Sequence, residues 1–122
     1  MLLNKRKVGA DKELIAAAYL EKQGMEILER NFRNRQGEID IIARHGEYLV
    51  FAEVKYRSNH SKGSALEAVD YRKMRQICKV ADYYRYLHKL GTGTMIRYDV
   101  VAIQGEEIVW IPNAFSHIYT RG

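Results

Sequence analysis

The segment GEIDIIARHGEYLVFAEVKYR, residues 37–57, sets Glu38, Asp40, Glu53 and Lys55 among Ile, Val, Ala and Phe. Apolar alternation on both sides of His45-Gly46 predicts a hairpin, with strands over 37–44 and 47–57. With Arg44 opposite Glu47, Glu38 faces Glu53 and Asp40 faces Phe51. One face then carries Glu38, Asp40, Phe51, Glu53, Lys55 and Arg57; the other carries Ile39, Ile41, Ala43, Val50, Ala52 and Val54. The second set is wholly apolar, and a slip of one residue would mix charge into both faces. Like charges directly opposed are destabilising unless a cation lies between them. Lys55 and Arg57 offer one remedy. A divalent metal offers another, because Mg²⁺ binds one or two carboxylates together with waters and phosphates. Glu-x-Lys on a strand is by itself a weak sign, since solvated ion pairs are common there. Three carboxylates on one face beside a lysine form a more specific pattern.

These strands need elements to hold them. ADKELIAAAYLEKQ, residues 10–23, is built from good helix formers, with Gly24 placed to end the helix. A first strand is expected over 26–33, before the turn NRQG. SNHSKG, residues 58–63, reads as a loop. Ser64-x-x-Glu67 has capping-box spacing for a second helix that runs to about Leu90 and stops at GTGT. MIRYDVVAI and EEIVWIP read as two further strands, and the last ten residues as irregular. The order α-β-β-β-α-β-β predicts an α/β fold, a small mixed sheet flanked by helices, in one domain over 1–122.

Bulk properties narrow the setting. The 122 residues carry a net charge of +5, which permits a nucleic-acid partner. One cysteine, Cys78, excludes an internal disulfide and reads as a buried small hydrophobe. No apolar run approaches the roughly 20 residues of a membrane span, and the basic start lacks a secretory apolar core. The expectation is a cytoplasmic protein.

GEID followed by FAEVKYR resembles the PD-(D/E)XK, or restriction-endonuclease-like, superfamily. More closely, the chain resembles the YraN-type family of small bacterial endonuclease-like proteins, related to archaeal Holliday-junction resolvases. The resemblance runs through Gly9, Glu13, AAYL at 17–20, Gly24, Asn31, both strand motifs, EAVDYRK at 67–73 and RYDVVAI at 97–103. Ile39 stands where the motif's name has proline. The resemblance implies a restriction-endonuclease-like core and a Mg²⁺- or Mn²⁺-dependent DNA endonuclease, with branched or damaged DNA among its substrates and a homodimer as its assembly. Asp40 and Glu53 would be metal carboxylates, Val54 would add its carbonyl, Lys55 would be the catalytic lysine and Glu13 a helical glutamate joining the site. Hydrolysis of a phosphodiester needs an activated water and relief of phosphate charge, which a carboxylate-bound metal and a lysine can supply. The alternative is a catalytically silent nucleic-acid-binding module on the same fold.

Read from the residues alone, Glu13 is either a first-turn glutamate favoured by the helix dipole or a carboxylate in line with Ala16, Ala17 and Leu20. Glu38 reads as a rim charge paired with Lys or Arg. For a phosphate backbone the candidates are Arg33, Arg35, Arg57, Lys62, Arg72 and Lys73; Arg30, His60, Arg75 and Lys79 lie nearby in sequence. Arg72, Gln76 and Lys79 share a helical face. Tyr83, Tyr84 and Tyr86 read as core or interface rather than as base-stacking groups.

Overall fold

The computed structural model describes residues 5–57 and 69–119. Helix α1, Lys5–Lys22, is followed by strands β1, Glu26–Asn34, β2, Gly37–His45, and β3, Tyr48–Arg57. Helix α2, Tyr71–Leu87, precedes strands β4, Ile96–Gln104, and β5, Glu107–Phe115. The five strands form one sheet in the order β1-β2-β3-β4-β5. Every neighbouring pair is antiparallel except β3 and β4, which are parallel and joined through α2. The expected α/β class and element order hold.

Each helix covers one face of the sheet. On α1, Ala16, Ala17 and Leu20 are buried against Ile41, Ala43, Val50, Ala52, Val101 and Ile103. The two alanines let the helix axis lie close to the strands. Gly24, at φ 96°, ends the helix, and the N–H of Met25 bonds back to the Leu20 carbonyl at 3.1 Å. On α2, Ile77, Cys78, Val80, Ala81 and Tyr84 form an apolar stripe against Ile42, Leu49, Phe51, Tyr98 and Val100. Residues 49 and 51 thus point to one layer, and residues 50 and 52 to the other.

Several boundaries differ from the sequence reading. Helix α1 begins at Lys5 rather than at residue 10. Helix α2 does not run unbroken from residue 64. Asp70 is its N-cap, in extended conformation, and accepts from the Lys73 N–H at 2.8 Å. The expected capping box at Ser64 and Glu67 lies outside the described residues. Strand β5 continues to Phe115, through residues read as irregular, because its pairing with β4 reaches Tyr98. The hairpin register is displaced by two residues. His45 pairs with Tyr48 around Gly46-Glu47, and Ile42, not Asp40, faces Phe51. A two-residue shift keeps the parity, so the faces expected for β3 stand.

A buried polar anchor ties β4 to its neighbours. Asp99 is 1% exposed and accepts four hydrogen bonds at 2.9 Å: two from Arg97, one from Trp110 Nε1 and one from the Asn113 N–H. A bulge in β5 makes the last of these possible, with Asn113 at φ 52° in the left-handed region that asparagine tolerates. The Arg97 guanidinium also contacts His45 Nδ1 at 3.0 Å, which links β4 to the end of β2. Among the described residues no helix is long and apolar enough to cross a membrane.

Removing the Asp99 carboxylate would leave Arg97, Trp110 Nε1 and a backbone N–H without their acceptor. Asp99→Ala is expected to lower the unfolding free energy by about 3–5 kcal/mol. Urea unfolding would read this as a lower midpoint at similar slope. A loss under about 1 kcal/mol would show that water replaces the carboxylate.

Candidate functional site

The site forms where the sheet splits. Pairing between β2 and β3 runs from His45–Tyr48 to Ile41–Ala52 and goes no further, although both strands continue. At the next position Asp40 bridges the gap with its side chain. Its Oδ2 accepts from the Val54 N–H at 2.8 Å. The alternation of β2 breaks at the same point. Ile39 packs with Phe32, Ile42 and the α2 stripe, whereas Ile41 packs with α1. The expected grouping of Ile39 with Ile41 is therefore corrected, because β2 past Ile41 follows β1 alone and is free to twist away from β3.

Carboxylates from three elements converge on the split. Oxygens of Glu13 on α1 and of Glu38 and Asp40 on β2 all lie within 4.8 Å of one another. Asn31 helps to position Glu13. Its φ of 56° bends β1, and its side chain hydrogen-bonds the Glu13 carboxyl. Burial, and then the negative charge of Asp40, raises the pKa of Glu13; the Asn31 bond and Arg30 pull it back. Asp40 is pushed up to about 8, first by burial and then by its hydrogen bond to Glu53 and that residue's charge; the bond from Val54 opposes this. A side-chain hydrogen bond thus joins Asp40 to Glu53 across the split.

Cations border the cluster. Lys73 Nζ on α2 lies 3.5 Å from Glu53 Oε2, and Glu53 is almost fully buried. Arg33 Nε lies 3.2 Å from Glu38. Lys73 also lines an open cleft of about 680 Å³ together with Lys55, Arg72, Arg75 and Lys79, and with Gln36, Asp70 and Gln76. Gln76 lies across Gly37, where an added Cβ would come within 2.6 Å of its side chain. A glycine is needed there for helix and turn to approach so closely.

The structure thus brings Glu13, Asp40 and Glu53 to one place, with Val54 engaged through its N–H and Lys55 lining the adjoining cleft. Arg72, Lys73, Arg75 and Lys79 line that cleft too, while Arg35 lines a neighbouring one. The side chain of Arg57, and all of His60 and Lys62, lie outside the described residues. Glu38 is both the rim charge paired with an arginine and a member of the carboxylate cluster. Sequence reasoning underrated it because the hairpin register alone does not show how close α1 comes. It also left Asn31 without a role, although an asparagine inside a strand pattern is itself a sign of a left-handed bend.

A mixed five-stranded sheet, split to expose clustered carboxylates beside a basic cleft, defines the class of this protein. Residues 12–103 match the model of the uncharacterised protein family UPF0102, and the chain belongs to that family. A UPF0102 protein of Lachnoclostridium phytofermentans is 50% identical over 114 residues, 93% of this chain and 97% of that one. Another from Vibrio campbellii is 45% identical over 118 residues, 94% and 97% of the two chains. A third, from Shewanella oneidensis, is 43% identical over 108 residues, covering 88% and 98%.

The raised Asp40 carboxyl makes stability depend on pH. Between the ordinary aspartate range and about pH 8, the folded protein keeps a proton that the unfolded chain has released. Stability from this group is therefore complete at low pH and falls as pH rises through that window. Asp40→Asn keeps an acceptor for Val54 and removes the charge. In EDTA its advantage over wild type is expected to grow from pH 5 to pH 8, by roughly 3–6 °C in melting temperature for each kcal/mol relieved. Parallel melting profiles for the two proteins would show that Asp40 is ionised throughout.

Proposed function

We propose that this protein is a divalent-metal-dependent nuclease of the PD-(D/E)XK kind that hydrolyses phosphodiester bonds in DNA. One observation carries the reading: Lys73 touches the buried carboxylate Glu53 and also lines a cleft with four more cationic side chains. A carboxylate cluster alone suggests a cation, and a basic cleft alone suggests a polyanion. Joined through one lysine, they suit a metal and a phosphate side by side.

The donors fit Mg²⁺ or Mn²⁺. They are carboxylate oxygens, the hard ligands these ions prefer. Glu53 Oε2 is buried with no hydrogen-bond partner among the described residues, so it has lone pairs to offer. Asp40 and Glu53 would hold the ion, with Glu13 or Glu38 completing the set and the Val54 carbonyl as a further donor. When bound, the metal polarises the phosphate and lowers the pKa of a coordinated water.

The protein's own groups do the rest. Arg72, Arg75 and Lys79 hold flanking phosphates along the α2 face. Lys55, on the strand position two past Glu53, orients the attacking water or stabilises the charge that develops on the phosphate. Water adds across one P–O bond, leaving one end as a phosphate and the other as a hydroxyl. Symmetric cutting of two strands would call for two copies of the chain.

The test is incubation with linear, single-stranded and four-way-junction DNA in Mg²⁺, Mn²⁺ or EDTA. Cleavage is expected with metal only, and Lys55→Ala is expected to slow it by about 10²- to 10⁴-fold. In calorimetry, Mn²⁺ should bind wild type and not Asp40→Ala. Binding of DNA without cleavage of any substrate, unchanged in Lys55→Ala, would leave a binding module in place of the enzyme.

A further inference from the structure

The basic cleft has a neighbour. Gln36, in the β1–β2 turn, lines the cleft and also a second groove of about 510 Å³, whose other walls are Arg33, Asn34, Arg35 and Tyr83. Tyr83 follows Arg72, Gln76 and Lys79 along one stripe of α2, at intervals of four, three and four residues. From Arg72 to Tyr83 the stripe covers about 16 Å of helix at 1.5 Å per residue, room for several nucleotides. The charged row therefore ends on an aromatic ring.

That ring differs from its neighbour. Tyr84 is buried in the α2 core, whereas Tyr83 is 40% exposed. Tyr83 is also braced. The buried ring of Phe32 lies 6.2 Å away and is tilted by 31° to it. A ring held by the core on one side and open to a groove on the other loses little freedom when a flat group stacks on it. Arg33 and Arg35 border the same groove. Arg33 spends its Nε on Glu38 but stays largely exposed, so other N–H groups remain to meet a phosphate.

We infer that the Tyr83 groove is a single-strand subsite, in which an unpaired base stacks on Tyr83 and the adjoining phosphates meet Arg33 and Arg35. The inference rests on the nucleic-acid reading of the main cleft and adds the form of nucleic acid that leaves it. In a duplex the base faces are closed by their neighbours. Away from a duplex end, an unpaired nucleotide is what can offer one to a ring, and every base can do so whatever its sequence. The fitting ligand has an unpaired flank next to the segment held by Lys55 and Lys73.

The test is fluorescence anisotropy in EDTA with a labelled oligothymidylate of about 12 nucleotides, within the size range single-strand sites cover, and with a blunt duplex of the same length. Tyr83→Leu keeps apolar bulk against Phe32 and removes the aromatic face. It is expected to weaken oligothymidylate binding by roughly five- to a hundredfold, the span of base stacking, and to leave the duplex nearly unaffected. Tyr83→Phe is expected to bind like wild type, because stacking does not need the hydroxyl. Equal single-strand affinity in wild type and Tyr83→Leu would overturn the subsite alone, as would an equal loss on both ligands. If wild type binds neither ligand at low salt, the subsite falls together with the nucleic-acid reading.

Discussion

One hydrogen bond organises the centre of this molecule: the Asp40 carboxylate accepts the Val54 N–H where a backbone carbonyl of β2 would otherwise be expected. A buried backbone N–H must have a partner. Here the partner is a side chain, so the two strands can part without leaving that donor unsatisfied. The parting creates an opening inside a sheet covered by helices on both faces. Into it come Glu13 from one helical layer, Lys73 from the other, and Glu38, Asp40 and Glu53 from the strands.

The arrangement is costly by itself. Four carboxylates near one another, two of them largely withdrawn from water, repel one another, and Glu13 and Asp40 resist ionisation. The protein offsets this in three ways. A hydrogen bond joins Asp40 to Glu53, Lys73 and Arg33 approach two of the carboxylates, and Asn31 and Arg30 support a third. The surrounding frame supplies the stability. Phe51 and Tyr98 pack beneath α2 with its Tyr84, small residues let α1 close over the other face, and Asp99 locks β4 to β5. Such concentration of unfavourable charge at one spot in a well-satisfied fold is typical of a site kept for function.

The second helix has two separate tasks on its two sides. Its apolar stripe completes the core, and its N-cap at Asp70 sets where the helix starts. That start determines which residues reach the split: the first turn carries Arg72 and Lys73, and the next carries Arg75 and Gln76. The close approach of Gln76 to Gly37 ties this face to the β1–β2 turn and so to the groove of Arg33, Arg35 and Tyr83.

Much of this was legible in the sequence, because short-range rules govern it. Alternation assigned Phe51, Glu53 and Lys55 to one face of β3 and Val50, Ala52 and Val54 to the other. Helix-forming composition and Gly24 located the end of α1, and helical spacing put Arg72, Gln76 and Lys79 on one side of α2. Parity survived even a two-residue error in register, because side chains alternate with period two. What sequence could not determine was set by approach through space. The end of the β2–β3 ladder at Ile41 and the reach of Glu13 to Asp40 depend on how α1 and β1 pack. The contact of Lys73 with Glu53 depends on where α2 lies across the sheet. Local pattern decides which way a side chain points; only the packing of layers decides what it meets.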